Sequence, residues 1–489
     1  MNLDSAKNLT YKYSMVILSS LVMGYLTIQN GKMIVAALLF SLLFLFLMKK
    51  LRTPTLYTLF FISVIWWPIW MNSYSLLGIR FGFLTINYPL LFLGIFMAKS
   101  FFNLYQKKVP FRIDLVDWIL LFSVIWVLIS ALTKSIAPES KSNFFLLGFP
   151  ILYYFTAKFS DIQKKDVLSW MKYIVYFSTL TVPYLIYELI TKVNIFLPPT
   201  DIYENFVYNY TLEAHGVFQP SGPFIDPNTA GLFLPFAVAM SLYFYNTADS
   251  NKQRLKWAFF IVAISAGVLI TLSRTSYVCL LLVYFVNFLF IVKNKIKYVA
   301  GLAALLILSA CYLNFAGLPP QLQERLNDSE TLATRVGFYQ DFAILLKNNW
   351  VTGMGFDNFR RRDRITPDSG PAHNIFVTIL IELGVVGCVV FFAPIGFIYL
   401  SYRKYTQLPS IDKPLLATFL IFFLNYYVGG LTMNPHLYVQ LNGILYIFMS
   451  VFMNHTNVIS NNSLPSITDS ETQFNLLPGT HDQRGALPA

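Results

Sequence analysis

The sequence predicts an all-α, polytopic integral membrane protein with about 14 transmembrane helices. Of its 489 residues, 56% are hydrophobic and only 12% are charged, whereas a soluble domain carries about 25% charged residues. The apolar residues form long continuous runs, which is typical of membrane helices and not of alternating barrel strands. The segment 1–12 is polar and no small-residue cleavage site follows the first apolar run, so no cleavable signal peptide is expected.

The apolar runs define the predicted spans in order along the chain. They lie at 14–29, 33–48, 55–71, 83–98, 115–133, 144–159, 168–190, 229–246, 256–272, 276–292, 298–317, 375–401, 414–431 and 437–453. All three cysteines fall inside these runs, so neither a disulfide nor a zinc site is expected.

The distribution of basic residues predicts the orientation of the spans. With both termini in the cytoplasm, 23 of the 36 Lys and Arg residues fall on the cytoplasmic side and 13 on the external side. This bias follows the positive-inside rule and holds over every pair of loops. The net charge of +12 is therefore explained by membrane topology, and nucleic acid is not an expected partner.

The chain is predicted to be one membrane domain, 1–453, followed by a disordered cytoplasmic tail, 454–489, rich in Asn, Ser, Pro and Thr. The longest external loop is 318–372. Within it, apolar residues recur at three- and four-residue spacing from Arg335 to Lys347, which predicts a short amphipathic helix. Spacing alone fits a plain connector equally well.

Arginines and a histidine are predicted to lie together on the external face. Arg274 occupies a polar break between two apolar spans, and Arg335 begins the predicted loop helix. His373 immediately precedes a membrane helix, where the backbone field disfavours the imidazolium form and favours bound anions. A neutral imidazole there could accept a proton from a hydroxyl. The alternatives are a lipid-facing arginine and a histidine that only caps the helix.

The polar residues around this group are less diagnostic. The segment 318–374 contains seven basic and seven acidic residues, so an anion site there would depend on individual arginines. Arg360 and Arg361 suit bidentate phosphate contacts, or they form surface ion pairs. Glu382 falls inside an apolar span as a structural hydrogen-bonding group or as a site carboxylate. No Walker loop, dinucleotide glycine motif, HExxH or CxxC pair is present, so no cofactor and no metal are expected.

These residues belong to short motifs that, in this order, resemble the O-antigen ligase and polymerase superfamily over residues 216–392. The motifs are Gly222-Pro223-Phe224, Asp226-Pro227-Asn228-Thr229, Ser273-Arg274-Thr275, Arg335-Val336-Gly337, Trp350, Gly353-Met354-Gly355-Phe356-Asp357-Asn358-Phe359, His373-Asn374, Glu382-Leu383-Gly384 and Gly387. The rest of the chain is similar to this family only in being hydrophobic.

The resemblance implies a metal-independent, inverting glycosyltransferase of the bacterial plasma membrane. Such an enzyme transfers a glycan from undecaprenyl diphosphate to an acceptor hydroxyl on the external or periplasmic face. By the resemblance, Arg274 and Arg335 hold the diphosphate leaving group and His373 orients or deprotonates the acceptor. Further substrate-binding candidates are Asn228, Arg360, Arg361, Asn374 and Glu382.

The number of predicted spans favours a polymerase of repeat units of an O-antigen, capsule, exopolysaccharide or teichuronic acid. The expected partners are the lipid-linked oligosaccharide, an acceptor glycan or glycolipid, membrane lipids, a flippase and a chain-length regulator. The alternatives are a ligase that attaches finished chains to lipid A core or protein, and a small-solute transporter of the same superfamily. A structural partner without activity is the third alternative.

Overall fold

In a computed structural model of the chain, the regular secondary structure of the described residues is helical apart from one short hairpin. The structure describes residues 79–81, 84–86, 97, 100, 104–105, 111–134, 150–192, 218–224, 227–292, 295–296, 342, 345–347, 349–358, 374–435 and 439–460. Five of the described helices are long and apolar enough to cross a membrane. The chain is therefore a multi-pass membrane protein with a helical fold.

The helices follow the predicted spans closely over this part of the chain. They are α1 Leu115–Thr133, α2 Lys164–Thr191, α3 Pro227–Asn246, α4 Asn251–Ile270, α5 Arg274–Phe290, α6 Ile375–Thr406, α7 Lys413–Gly429, α8 Val439–Asn454 and α9 Thr456–Ile459. Residues 150–158 are also helical. The predicted spans 14–29, 33–48, 55–71 and 298–317 lie outside the described residues, so the total of 14 stays a prediction.

Two details differ from the prediction. Strands β1 (Ile79–Phe81) and β2 (Leu84–Ile86) pair antiparallel, with Phe81 opposite Leu84. The predicted span 83–98 therefore contains a three-residue strand near its start, while the described fold is otherwise helical, as predicted. The predicted tail is ordered at its start, where α9 forms and the backbone N–H of Asp412 donates to the carbonyl of Ile459 at 2.9 Å.

Helix α3 lies at the centre of the bundle, in contact with α2, α4, α5 and α7. Its apolar stretch is 89% buried, against 22–50% for the four other candidate spans. A Cβ at Gly231 would overlap the side chain of Ser276 on α5, so a glycine permits this close approach of two helices. The outer helices instead expose apolar side chains, among them Leu180, Leu255 and Leu281, as lipid-facing helices do.

One end of the bundle holds all the ion pairs found among the described residues. Lys158 Nζ lies 2.8 Å from Asp114 and 2.5 Å from the fully buried Asp117 on α1. Lys164 Nζ lies 2.7 Å from the carboxylate of Asp412, which also accepts from the hydroxyl of Tyr243 at 3.3 Å. These contacts tie together the beginnings of α1, α2 and α7 and the end of α3. This is the end that the positive-inside rule assigns to the cytoplasm.

His455, between α8 and α9, predicts a pH dependence of stability at this end. Burial lowers its pKa to about 4, and its Nε2–H donates to the carbonyl of Ala157 at 3.2 Å. Between about pH 6.5 and pH 4 the unfolded chain therefore binds the extra proton, so acidification through this window destabilises the fold by on the order of 1–3 kcal/mol. As the pH is lowered through this window, the melting temperature should fall less steeply in His455→Gln than in the wild type. Parallel pH profiles of the two proteins would contradict this prediction.

Candidate functional site

Three helices begin close together at the opposite end of the bundle, which we call the site end. They are α3 at Pro227, α5 at Arg274 and α6 at Ile375. The aligned backbone dipoles of each helix give its N-terminus a partial positive charge. Their convergence places a positive field at the end of the bundle that lacks the described ion pairs.

A hydrogen bond joins the first two of these helix starts. Ser273 is the N-cap residue of α5, and its hydroxyl donates to Asn228 Oδ1, in the first turn of α3, at 2.7 Å. Arg274 is the first residue of α5 and is half-buried. The polar break in the sequence is thus a turn held by a hydrogen bond, which places Arg274 close to Asn228.

The start of α6 is joined to the same region through the segment that follows α7. The backbone N–H of Ile375 donates to the carbonyl of Gly430 at 2.7 Å, and the hydroxyl of Thr378 donates to Asn434 Oδ1 at 3.0 Å. In the same segment, the hydroxyl of Thr432 lies 2.5 Å from that of Thr275 on α5. The segment after α7 therefore fixes α5 and α6 relative to each other.

Asn374 acts as the N-cap of α6. Its Oδ1 accepts from the backbone N–H groups of Phe376 at 3.0 Å and Val377 at 3.3 Å. This cap fixes where the helix begins, immediately after His373. The oxygen of Asn374 is occupied by the backbone, so only the amide nitrogen of this candidate substrate ligand remains to contact a substrate.

Helix α6 is broken at Gly384, which has φ 69° and ψ −170°. This conformation is accessible essentially only to glycine. Glu382 lies just before the break and is 2% exposed. The predicted continuous span 375–401 is therefore two helical halves, and Glu382 sits at the junction between them.

A turn of the long loop 318–372 fills this break, and we call residues 350–358 the docked turn. Its backbone is hydrogen-bonded to both sides of Gly384. The bonds are Met354 N–H to Ile381 O at 2.8 Å, Gly355 N–H to Glu382 O at 3.1 Å, Val385 N–H to Trp350 O at 2.8 Å and Val386 N–H to Val351 O at 3.3 Å. A Cβ at Gly353 would overlap the backbone of Glu382. The motifs Gly353-Met354-Gly355 and Glu382-Leu383-Gly384 therefore contact each other directly.

The docked turn is also attached to the end of α1. Lys134 Nζ donates to Thr352 Oγ1 at 2.5 Å and to the carbonyl of Gly353 at 2.9 Å. The amide of Asn358 donates to the Lys134 carbonyl at 2.9 Å, and the backbone N–H of Phe356 donates to Ser130 Oγ at 3.0 Å. Lys134 and Ser130, at the end of α1, therefore hold the docked turn against the break in α6.

Glu188, near the end of α2, holds the segment that leads into α3. Its buried carboxylate accepts from the backbone N–H groups of Gly222 at 2.7 Å and Ser221 at 3.1 Å. Gly222 has φ 64°, which glycine adopts without strain. In the sequence, Glu188 is an acidic residue inside the predicted span 168–190. An acidic residue inside an apolar span needs a partner, and the glycine-containing turn at Gly222 is a candidate for it. This is the sequence signal that could have linked Glu188 to Gly222.

Replacing Glu188 by Ala should destabilise the protein by about 2–4 kcal/mol, because two buried N–H groups lose their acceptor. Glu188→Gln keeps one oxygen and should lose less than half as much. Thermal unfolding of the purified full-length protein in detergent measures both changes. Ile190→Ala is the control, since this side chain on the same helix is 75% exposed. A melting temperature of Glu188→Ala equal to that of Ile190→Ala would contradict the role of the carboxylate.

The structure brings together three of the sequence-predicted site residues, Asn228, Arg274 and Asn374, and places Glu382 further along α6. His373, Arg335, Arg360 and Arg361 lie outside the described residues, as does most of the predicted loop helix. No group of three or more His, Cys, Asp or Glu side chains suited to a metal occurs within the described ranges.

A comparison with protein-family models assigns part of this region. Residues 258–392 match the model described as O-antigen ligase, which confirms the predicted resemblance for α5, the docked turn and the beginning of α6. No curated protein matches the sequence.

Proposed function

From the premise that residues 258–392 belong to the O-antigen ligase family, we propose that the protein is an inverting, metal-independent glycosyltransferase. Its donor is a glycan linked to undecaprenyl diphosphate, and its acceptor is a sugar hydroxyl. The active site lies at the site end, on the external face of the bacterial plasma membrane. Within this class, its role is the polymerisation of envelope polysaccharide repeat units.

The observation that carries the proposal is the convergence of the starts of α3, α5 and α6 with Arg274 at one end of the bundle. The partial positive charge of helix N-termini and the planar fork of an arginine both stabilise phosphate oxygens. A diphosphate leaving group gains negative charge as its bond to the sugar breaks, and fixed donors in a partly desolvated site stabilise that charge most effectively. The arrangement therefore suits departure of a lipid diphosphate.

The chemistry assigns one role to each candidate. The acceptor oxygen attacks the anomeric carbon of the donor, the bond from that carbon to the phosphate oxygen breaks, and the configuration inverts. Arg274 and Arg335 stabilise the departing diphosphate, with Arg360 and Arg361 as further contacts. His373, which directly precedes the capped start of α6, takes the acceptor proton.

The polymerase role rests on the predicted number of spans, about 14, and on the chain length of 489 residues. A polymerase would work with the flippase that delivers the lipid-linked unit and with a chain-length regulator. A ligase would use the same site for a different acceptor, such as lipid A core or a protein.

One observation favours the transporter alternative. A broken helix with a buried carboxylate, as at Gly384 and Glu382, is a feature of transporter substrate sites. In this protein, however, the backbone of the docked turn occupies the hydrogen-bonding groups at the break. The break is therefore filled by protein, which supports a fixed site better than a transport pathway.

The proposal is tested by deleting the gene in its host and sizing the undecaprenyl-linked glycans by mass spectrometry. Single repeat units accumulating on the lipid support a polymerase. Long chains stranded on the lipid support the ligase alternative. Lipid-linked glycans identical to those of the parent strain would overturn the transferase proposal and favour the transporter.

A further inference from the structure

The first half of α6, residues 375–383, is structurally separate from the second half. Gly384 interrupts the helix, so the backbone groups of this half end at the break and not in a continuing helix. In an apolar environment each unpaired backbone group costs several kcal/mol. The docked turn meets this need with hydrogen bonds on both sides of Gly384, and the indole of Trp126 donates to the Leu383 carbonyl at 3.1 Å.

The two ends of this half-helix are held by different parts of the protein. At its beginning, Ile375 is bonded to Gly430, and Thr378 is bonded to Asn434. At the break, the docked turn is the partner, and the turn itself is attached to α1 through Lys134. The direction of the half-helix, and with it the position of its N-terminus beside α5, is therefore restrained by α1, both through Trp126 and through the docked turn, to which the Lys134 side chain makes two hydrogen bonds.

Lys134 makes these contacts with neutral partners. Its ammonium group donates to a hydroxyl and a carbonyl of the docked turn, and within the described ranges no carboxylate lies within ion-pair distance. Lysine supplies three donors that reach over several ångströms, which a shorter or apolar side chain cannot replace. A hydrogen-bond donor, and not charge neutralisation, is the property that the site uses.

We infer that Lys134 is a positioning residue for the transfer reaction: by fixing the docked turn it sets the orientation of residues 375–383 and of the helix start that borders the site. This inference rests on the proposed function. Small displacements of a catalytic group lower turnover by one to two orders of magnitude. Such a displacement should therefore lower kcat while leaving the donor KM nearly unchanged.

The test compares the full-length wild type with Lys134→Met and Lys134→Arg, each purified in detergent. Hydrogen–deuterium exchange of peptides covering residues 350–358 and 381–386 reports on the contact itself. Transfer from a synthetic undecaprenyl-diphosphate oligosaccharide reports on kcat and KM. Lys404→Met is the matched control, because Lys404 is an exposed lysine in the last turn of α6, far from the docked turn.

Lys134→Met should exchange about 10-fold faster in these peptides and lose about 10-fold in kcat, with donor KM within twofold of the wild type. Lys134→Arg should restore both properties, and Lys404→Met should match the wild type. Unchanged exchange in Lys134→Met would overturn the inference, and so would a raised KM at unchanged kcat, which indicates direct substrate contact. Faster exchange with no transfer by the wild type would instead overturn the proposed function while keeping the link from Lys134 to the half-helix.

Discussion

Arg274→Ala and His373→Ala should each abolish detectable glycan transfer while leaving the protein inserted and folded. Removing one preorganised donor to a developing oxyanion costs about 10²–10³-fold in rate. Loss of a general base costs about 10²–10⁴-fold. Arg274→Lys keeps the charge but not the planar fork, so it should recover only part of the activity. The measurement is transfer to acceptor glycan by membranes from the deletion strain carrying each variant.

The matched control for Arg274 is Arg254→Ala. Arg254 is an exposed arginine in the first turn of α4, at the opposite end of the bundle. Its loss removes the same charge without touching the site, and transfer should remain within twofold of the wild type. Normal glycan in either Arg274→Ala or His373→Ala would refute the assigned roles.

Gly384→Ala should destabilise the protein by about 3 kcal/mol or more. Its φ of 69° is strained for any residue with a side chain, and a Cβ would overlap the carbonyl of Val351 in the docked turn. The variant must either displace the turn or rebuild the helix across the break. Both outcomes remove the hydrogen bonds that join residues 350–355 to 381–386. Thermal unfolding in detergent and the yield of inserted protein measure the effect.

Gly396→Ala supplies an internal control on the same helix. Nothing lies within 4 Å of a Cβ at this position. An alanine in a regular helix is more favourable than glycine by about 1 kcal/mol, so this variant should be as stable as the wild type or slightly more stable. Equal melting temperatures for Gly384→Ala and Gly396→Ala would show that the break is not required.

The sequence predicts the helices well because each apolar run of membrane length has one stable form. Only a helix satisfies its own backbone groups in lipid, and the predicted span 115–133 coincides with α1. The position of Arg274 at a helix start follows from the same pattern, because a polar break between two apolar runs must lie at a membrane face.

The break in α6 could not be predicted in the same way. Hydropathy depends on side-chain composition, and the run 375–401 remains apolar through Gly384. What determines the break is a contact with a turn 30 residues earlier, and such pairing has no periodicity in a single sequence. The hydrogen bond from the Gly222 N–H to Glu188 also joins residues that are far apart in the sequence. The hairpin at Ile79–Phe81 and Leu84–Ile86 is too short to separate from a neighbouring apolar run by composition.

The division of α6 also sets the depth of the site in the bilayer. Residues 385–406 alone extend about 33 Å at 1.5 Å per residue, enough to cross a hydrocarbon core of about 30 Å. The second half of the helix is therefore long enough to cross the membrane by itself, so the first half can lie near the level of the lipid headgroups. A diphosphate attached to a membrane-embedded polyprenyl chain resides at that same level. Donor and helix start would then meet by lateral diffusion in the plane of the membrane, and the lipid would not have to be lifted out of it.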